Sequence, residues 1–228
     1  MSANPRRPST TMIVLGVLVL IVVVAGGIAV ASGGGSDDSS SGSSSAKQEF
    51  ATVTVEGTPL PKYPGQGQAD PAVGDTAPTL VGESFDESPI TIKATGKPQV
   101  VVFLAHWCPH CQAEVPRLVA AAKAGDLAGI DVSAVTTSTS PEAGNYPPSA
   151  WLAREKWPFP VMVDSKTGTA GQAYGLTSFP YFVFLDGNGA VLGRSTGEAA
   201  PAALKAIFNA MRKGTALPLP GGASSSAN

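Results

Sequence analysis

Both cysteines and both histidines of the chain fall within one stretch, His106-Trp107-Cys108-Pro109-His110-Cys111. Two thiols separated by two residues can close a structural disulfide, ligate a metal, or exchange electrons. A disulfide enclosing only Pro109 and His110 closes almost no loop and constrains the unfolded chain little. A structural zinc site needs four ligands around a tetrahedral ion, and donors crowded onto one helical turn do not easily surround one. Copper, which accepts thiolate and imidazole alike, is harder to set aside. Reversible thiol–disulfide chemistry is the reading that best explains the pair.

A thiol attacks as its thiolate, and the amino end of a helix, with unpaired N–H groups and a positive dipole end, favours that form. The flanking sequence supplies such an end. Val100–Leu104 is an apolar β-type run, and Gln112–Ala124 is a helix-type run that is expected to kink at Pro116, which removes a backbone hydrogen bond, and ends near Gly125. Cys108, on the outer side of the turn, is therefore expected to be the activated and exposed nucleophile. Cys111, one turn further in, is expected to face the helix–sheet packing and resolve the mixed disulfide. Pro109 fixes φ in the first turn, where its missing N–H would have no intrahelical partner. His110 is expected to present a donor or positive charge to Cys108, stabilising the reduced form. Trp107 offers a flat apolar platform to a substrate while also packing the strand end, and His106 either joins the site or faces solvent. Glu114 lies on the Cys111 face of the helix, one turn on.

The chain has 228 residues, 14% charged, with a net charge of −2. That suffices for one ordinary domain with extensions and makes no electrostatic case for nucleic acid. Residues 1–11 read as a cytoplasmic N-terminus and 12–31 as a transmembrane anchor: Met12–Ala31 carries no charge, with Arg6 and Arg7 before it and Asp37 and Asp38 after. Ala29-Val30-Ala31 leaves a cleaved signal as the rival, and both readings export the domain. Residues 32–46 are a Ser/Gly linker and 47–73 an extended lead-in with one edge strand. Residues 74–214 form the folded domain, and 215–228 are expected to be a disordered tail.

Within the domain, Thr79–Val81 and Ile90–Ile92 read as short paired strands. Ile130–Thr136 and Val161–Val163 read as strands parallel to Val100–Leu104, reached by crossovers. Thr137–Pro148 reads as a loop, and Ser149 as the cap of a helix, Ala150–Lys156. Thr169–Tyr174 is a further short helix. Tyr181–Leu185, the turn Asp186–Gly189 and Ala190–Arg194 form a hairpin. The closing helix, Pro201–Met211, carries Leu204, Ile207, Phe208 and Met211 at helical spacing.

A βαβαβ half followed by a ββα half, with CxxC at the first strand–helix junction, predicts an α/β thioredoxin-like fold with a central mixed sheet flanked by helices. Trp107-Cys108-Pro109-His110-Cys111 with Glu114 and Pro116, Ser178-Phe179-Pro180-Tyr181 before the penultimate strand, and Val73–Pro78 together resemble the membrane-tethered TlpA/ResA/CcmG-type thioredoxin-like proteins. The Pro109-His110 dipeptide is that of DsbA-type oxidases. The resemblance implies a cis Phe179-Pro180 bond whose Phe179 backbone pairs with an extended substrate, and proton handling by Glu114 near Cys111. Val102 stands where thioredoxins carry a buried aspartate, which leaves Glu114 as the substitute. It further implies an extracytoplasmic thiol-disulfide oxidoreductase with no cofactor beyond its redox-active cysteines. Its partners would be protein thiols and a membrane redox protein. The dipeptide points to an oxidase, Glu114 and Pro116 to a reductase for cytochrome c maturation or a similar partner. A non-enzymatic metal- or partner-binding module is the alternative of another class, and a peroxiredoxin-like reading is weakened by Ala105 in place of a threonine.

Overall fold

All six residues of the strand Gln99–Leu104 are buried, which requires cover on both faces. The computed structural model, which describes residues 47–219, shows what supplies it. In chain order the elements are β1 (Thr54–Glu56), β2 (Thr79–Glu83), β3 (Pro89–Ile92), β4 (Gln99–Leu104), α1 (Pro109–Lys123), β5 (Asp131–Thr136) and α2 (Pro148–Arg154). They continue with β6 (Val161–Val163), α3 (Thr169–Ala173), β7 (Tyr181–Leu185), β8 (Val191–Thr196) and α4 (Pro201–Lys213). The central sheet runs β6-β5-β4-β7-β8, with β4 in the middle. β4 and β5 pair in parallel, as do β5 and β6, whereas β7 is antiparallel to both β4 and β8. This is the thioredoxin-like α/β arrangement with a mixed sheet. Beside it, β1, β2 and β3 form a small antiparallel sheet.

Successive side chains of β4 point to opposite faces, and each face has its own core. Val100, Val102 and Leu104 pack with Val115, Leu118 and Val119 of α1, Trp151 of α2, and Leu204, Ile207, Phe208 and Met211 of α4. The α4 stripe follows the predicted spacing, and each such side chain contributes about 1.5–3 kcal/mol on burial. Val101 and Phe103 instead face Tyr174, Tyr181, Leu80 and Ile92, together with Val53, Leu60 and Tyr63 of the lead-in. The lead-in is thus part of the fold and closes the second face.

Three details differ from expectation. Ser149 does not cap α2 with its own side chain; the N-cap is Pro147. Instead the buried carboxylate of Glu49 reaches in from the lead-in, accepting the Ser149 N–H at 3.2 Å and the Ser149 hydroxyl. A carboxylate at this end satisfies orphan helical N–H groups as a cap would. The second difference is at the C-terminus, where Leu217 and Leu219 pack against the first core, so the ordered chain continues past Gly214. Third, β8 runs to Thr196, because Ser195 and Thr196 still pair with Phe182 and Tyr181 at the start of β7.

The N-terminus, anchor and linker expected over 1–46, and the tail from 220, lie outside the described residues. Among the described residues no helix is long and apolar enough to cross a membrane.

Candidate active site

The turn from β4 to α1 carries both thiols. Cys108 is the N-cap of α1, extended at φ −76° and ψ 120°, with Pro109 at the first helical position. The helix runs uninterrupted through Pro116, and its C-terminus is closed by Gly125, whose φ of +76° needs no Cβ. Asp126 N–H to Ala121 and Gly125 N–H to Ala122 complete that closure.

Both cysteines are free thiols. Cys111 is wholly buried, and its sulfur accepts the Ala105 N–H at 3.5 Å. Burial pushes the Cys111 thiol strongly upward; the Ala105 N–H opposes this, and the proximity of Cys108 and Glu114 adds to it. Cys108 and Cys111 bracket the first turn of α1 and belong to one core cluster, which places both thiols in the same site. Cys108 is not exposed as expected: only 6% of its surface is accessible. As the N-cap of a helix whose first turn packs on β4, it belongs to the same core cluster as Cys111, and Phe179 packs against that cluster.

The segment before β7 lies beside the thiols. Phe179-Pro180 is cis, and the Phe179 ring meets the Trp107 ring edge-on at 5.9 Å. Trp107 is 39% exposed and donates from Nε1 to the Ser138 carbonyl at 2.8 Å, which fixes its outward face. Trp107, Phe179 and Pro180 are therefore brought together with Cys108.

His106 is neither solvent-facing nor at the thiols. It is buried: the Ser140 N–H donates to its Nε2 at 3.1 Å, so the ring proton sits on Nδ1 and donates to Gly144 O at 2.9 Å. Its role is to pin the loop after β5, where Tyr146 packs against its edge. His110 is exposed, and its Nδ1 lies 2.7 Å from Glu198 Oε1; among the described residues its ring makes no hydrogen bond to Cys108. Among the described residues no group of three or more Cys, His, Asp or Glu side chains is placed to hold a metal ion.

Glu114 is fully buried one turn beyond Cys111. Its Oε2 accepts from the Ala199 N–H at 3.0 Å and from Arg117 Nη1 at 3.2 Å, while Oε1 has no partner. Burial holds its carboxyl above the usual glutamate range, against the lowering effect of Ala199 and Arg117. The native state therefore keeps this proton to higher pH than the unfolded chain does. The stability so conferred is fully present below the ordinary pKa near 4.5 and lost as pH rises through the raised native value. Glu114→Gln is expected to flatten this dependence, so that melting curves across that range show the wild type losing stability relative to the variant as pH rises.

Arg117, Glu198 and Ala199 were not picked out by sequence reasoning. The i,i+3 spacing of Glu114 and Arg117 is a legible pairing signal, but nothing in the chain order connects either to the segment after β8.

No curated protein sequence matches the chain. Solved structures do. A hypothetical protein, SMc02350 from Sinorhizobium meliloti 1021, superposes with a TM-score of 0.56 at 19% identity, covering 71% of this chain and 100% of that one. A thioredoxin family thiol:disulfide interchange protein from Chlorobium tepidum TLS gives 0.51 at 24%, covering 63% and 99%. A candidate thiol:disulfide interchange protein DsbE from Chlorobium tepidum gives 0.50 at 25%, covering 60% and 93%. The Redoxin family model matches residues 72–208, more than half of the chain and both cysteines with it. The protein belongs to the Redoxin family and is a thiol-disulfide oxidoreductase.

Proposed function

We propose that the protein is an extracytoplasmic thiol-disulfide oxidoreductase of the TlpA/ResA/CcmG kind that passes its Cys108–Cys111 disulfide to protein thiols. The observation that carries this reading is the pairing of a helix-capping Cys108 with a buried Cys111 on the first turn of the same helix, beside the aromatic pair Trp107 and Phe179. The uncharged run Met12–Ala31 after Arg6 and Arg7, followed by a Ser/Gly linker, supports export and tethering.

In the oxidising direction a substrate thiolate attacks Cys108 Sγ of the disulfide. The Cys108–Cys111 bond breaks, and Cys111 leaves as a thiolate that takes a proton. A second substrate thiolate then attacks the substrate sulfur of the mixed disulfide, forming the substrate disulfide and releasing Cys108. Two electrons have moved from the substrate dithiol to the enzyme, and a membrane redox partner removes them. The strongly raised Cys111 thiol makes it a good proton acceptor as it leaves. In the reverse direction Cys111 must lose that proton to resolve the intermediate, and buried Glu114 is the nearby acceptor. That carboxylate favours the second reading, a reductase for cytochrome c maturation or a similar partner.

The Pro109-His110 dipeptide supports the oxidase direction. Equilibration with glutathione buffers decides between them. A standard potential near about −120 mV fits an oxidase, and one near about −270 mV rejects it.

A further inference from the structure

Four side chains around the first turns of α1 form one continuous run of polar contacts. His110 Nδ1 meets Glu198 Oε1 at 2.7 Å, and the other oxygen of Glu198 meets Arg117 Nη1 at 2.8 Å. The same Arg117 nitrogen reaches Glu114 Oε2 at 3.2 Å, which in turn accepts the Ala199 N–H at 3.0 Å. Glu198 and Ala199 are adjacent on the segment joining β8 to α4. One loop therefore grips the histidine inside the cysteine ring through a side chain and the buried carboxylate beyond it through a backbone N–H.

A histidine between two cysteines makes the disulfide more oxidising only as far as its ring donates to, or sets positive charge beside, the nucleophile's thiolate. Here the Nδ1 is engaged by Glu198, and among the described residues the ring makes no hydrogen bond to Cys108. His110 and Arg117 hold the Glu198 carboxyl below the usual glutamate range, so it is anionic at neutral pH. An anion at 2.7 Å offsets whatever positive charge the ring carries, and the field that reaches the sulfur is correspondingly reduced.

We propose that Glu198 is a positioning residue that sets the reduction potential of the Cys108–Cys111 couple, by engaging the Nδ1 of His110 and offsetting the charge of its ring. The disulfide is thereby a milder oxidant than its Pro-His dipeptide alone would make it. The proposal rests on the disulfide-exchange reading and adds no reactant to it. Reduction still places two electrons on the sulfurs, and Glu198 changes only the free energy of the thiolate that results.

The test uses Glu198→Gln, which keeps the size and the hydrogen-bonding oxygen of the side chain while removing its charge, alone and together with His110→Ala. Each protein is equilibrated with glutathione buffers and the reduced fraction is read by alkylation. Glu198→Gln is expected to shift the equilibrium toward the dithiol by about tenfold, equivalent to about 30 mV. In the His110→Ala background the same substitution is expected to shift it by less than about twofold, since the charge it offsets is gone. An unchanged or lowered potential overturns the proposal, as does an equal shift in both backgrounds, which would route the effect through Arg117. If the wild-type pair exchanges with glutathione and only the shift fails, this inference alone falls. If the wild-type pair does not exchange at all, the proposed function falls and takes the inference with it.

Discussion

Cys108→Ser is expected to reduce thiol–disulfide exchange to the uncatalysed background, while Cys111→Ser retains the first chemical step and accumulates a mixed disulfide. The asymmetry follows from position. Cys108 caps the helix at the outer end of the turn, and it borders Trp107 and Phe179. Cys111 has no accessible surface, and burial favours its protonated form. Of the two thiols Cys108 alone has accessible surface to meet a substrate sulfur, and Cys111 on the same helical turn is left to displace it. Reduction of an insulin-type disulfide, or oxidation of a denatured dithiol protein, measures turnover; non-reducing electrophoresis with mass spectrometry detects the trapped adduct. Full turnover by Cys108→Ser, or an adduct that forms through Cys111, would refute the assignment.

The largest expected stability effect lies far from the thiols. Arg194 of β8 is wholly buried, donating from Nε to Asp70 Oδ2 at 2.9 Å and from Nη2 to Asp70 Oδ1. Its Nη1 donates to Pro61 O at 2.7 Å and also reaches Tyr174 O and the Tyr181 hydroxyl. Asp70 and Pro61 both belong to the lead-in, so one guanidinium ties that segment to the sheet. Removing one partner of a buried pair leaves an uncompensated charge, and Arg194→Ala is expected to cost about 3–5 kcal/mol. For a chain of this size that lowers the melting temperature by on the order of 10 °C. Arg194→Lys is not expected to rescue it, because a single ammonium cannot reproduce the planar fork that meets Asp70 with two nitrogens. Asp70→Leu with Arg194→Met should lose less than Arg194→Ala, since no lone charge remains buried. Calorimetry of the four proteins decides it, and an Arg194→Ala melting point within a degree or two of wild type would rule the clasp out.

The contrast between these two regions shows what a sequence exposes. Cys108, Cys111 and Trp107 stood out because their types are rare here, and Pro109 and the Phe179-Pro180 segment because of where they fall relative to the apolar runs, which have one sensible period each. The all-buried β4 and the spaced stripe of α4 place them with little ambiguity. His106 was misjudged because its role depends on two backbone groups in a later loop, Ser140 N–H and Gly144 O, which no local pattern announces. Glu49, Arg194 and Glu198 were invisible for the same reason. Each is an ordinary charged residue locally, made special by partners about 90 to 130 positions away along the chain. The exposure expected of Cys108 failed more subtly. Helix start was read correctly, but the depth at which that start meets the sheet is a tertiary quantity.

That depth has a bearing on client choice. A cysteine with 6% of its surface accessible, beside the Trp107 and Phe179 rings, must still be approached in line with the bond being broken. A cysteine fastened to a finished, rigid globule cannot dip into such a recess, whereas one carried on a slack polypeptide can. A recess of this depth would favour substrate thiols carried on flexible segments over those held on a folded surface.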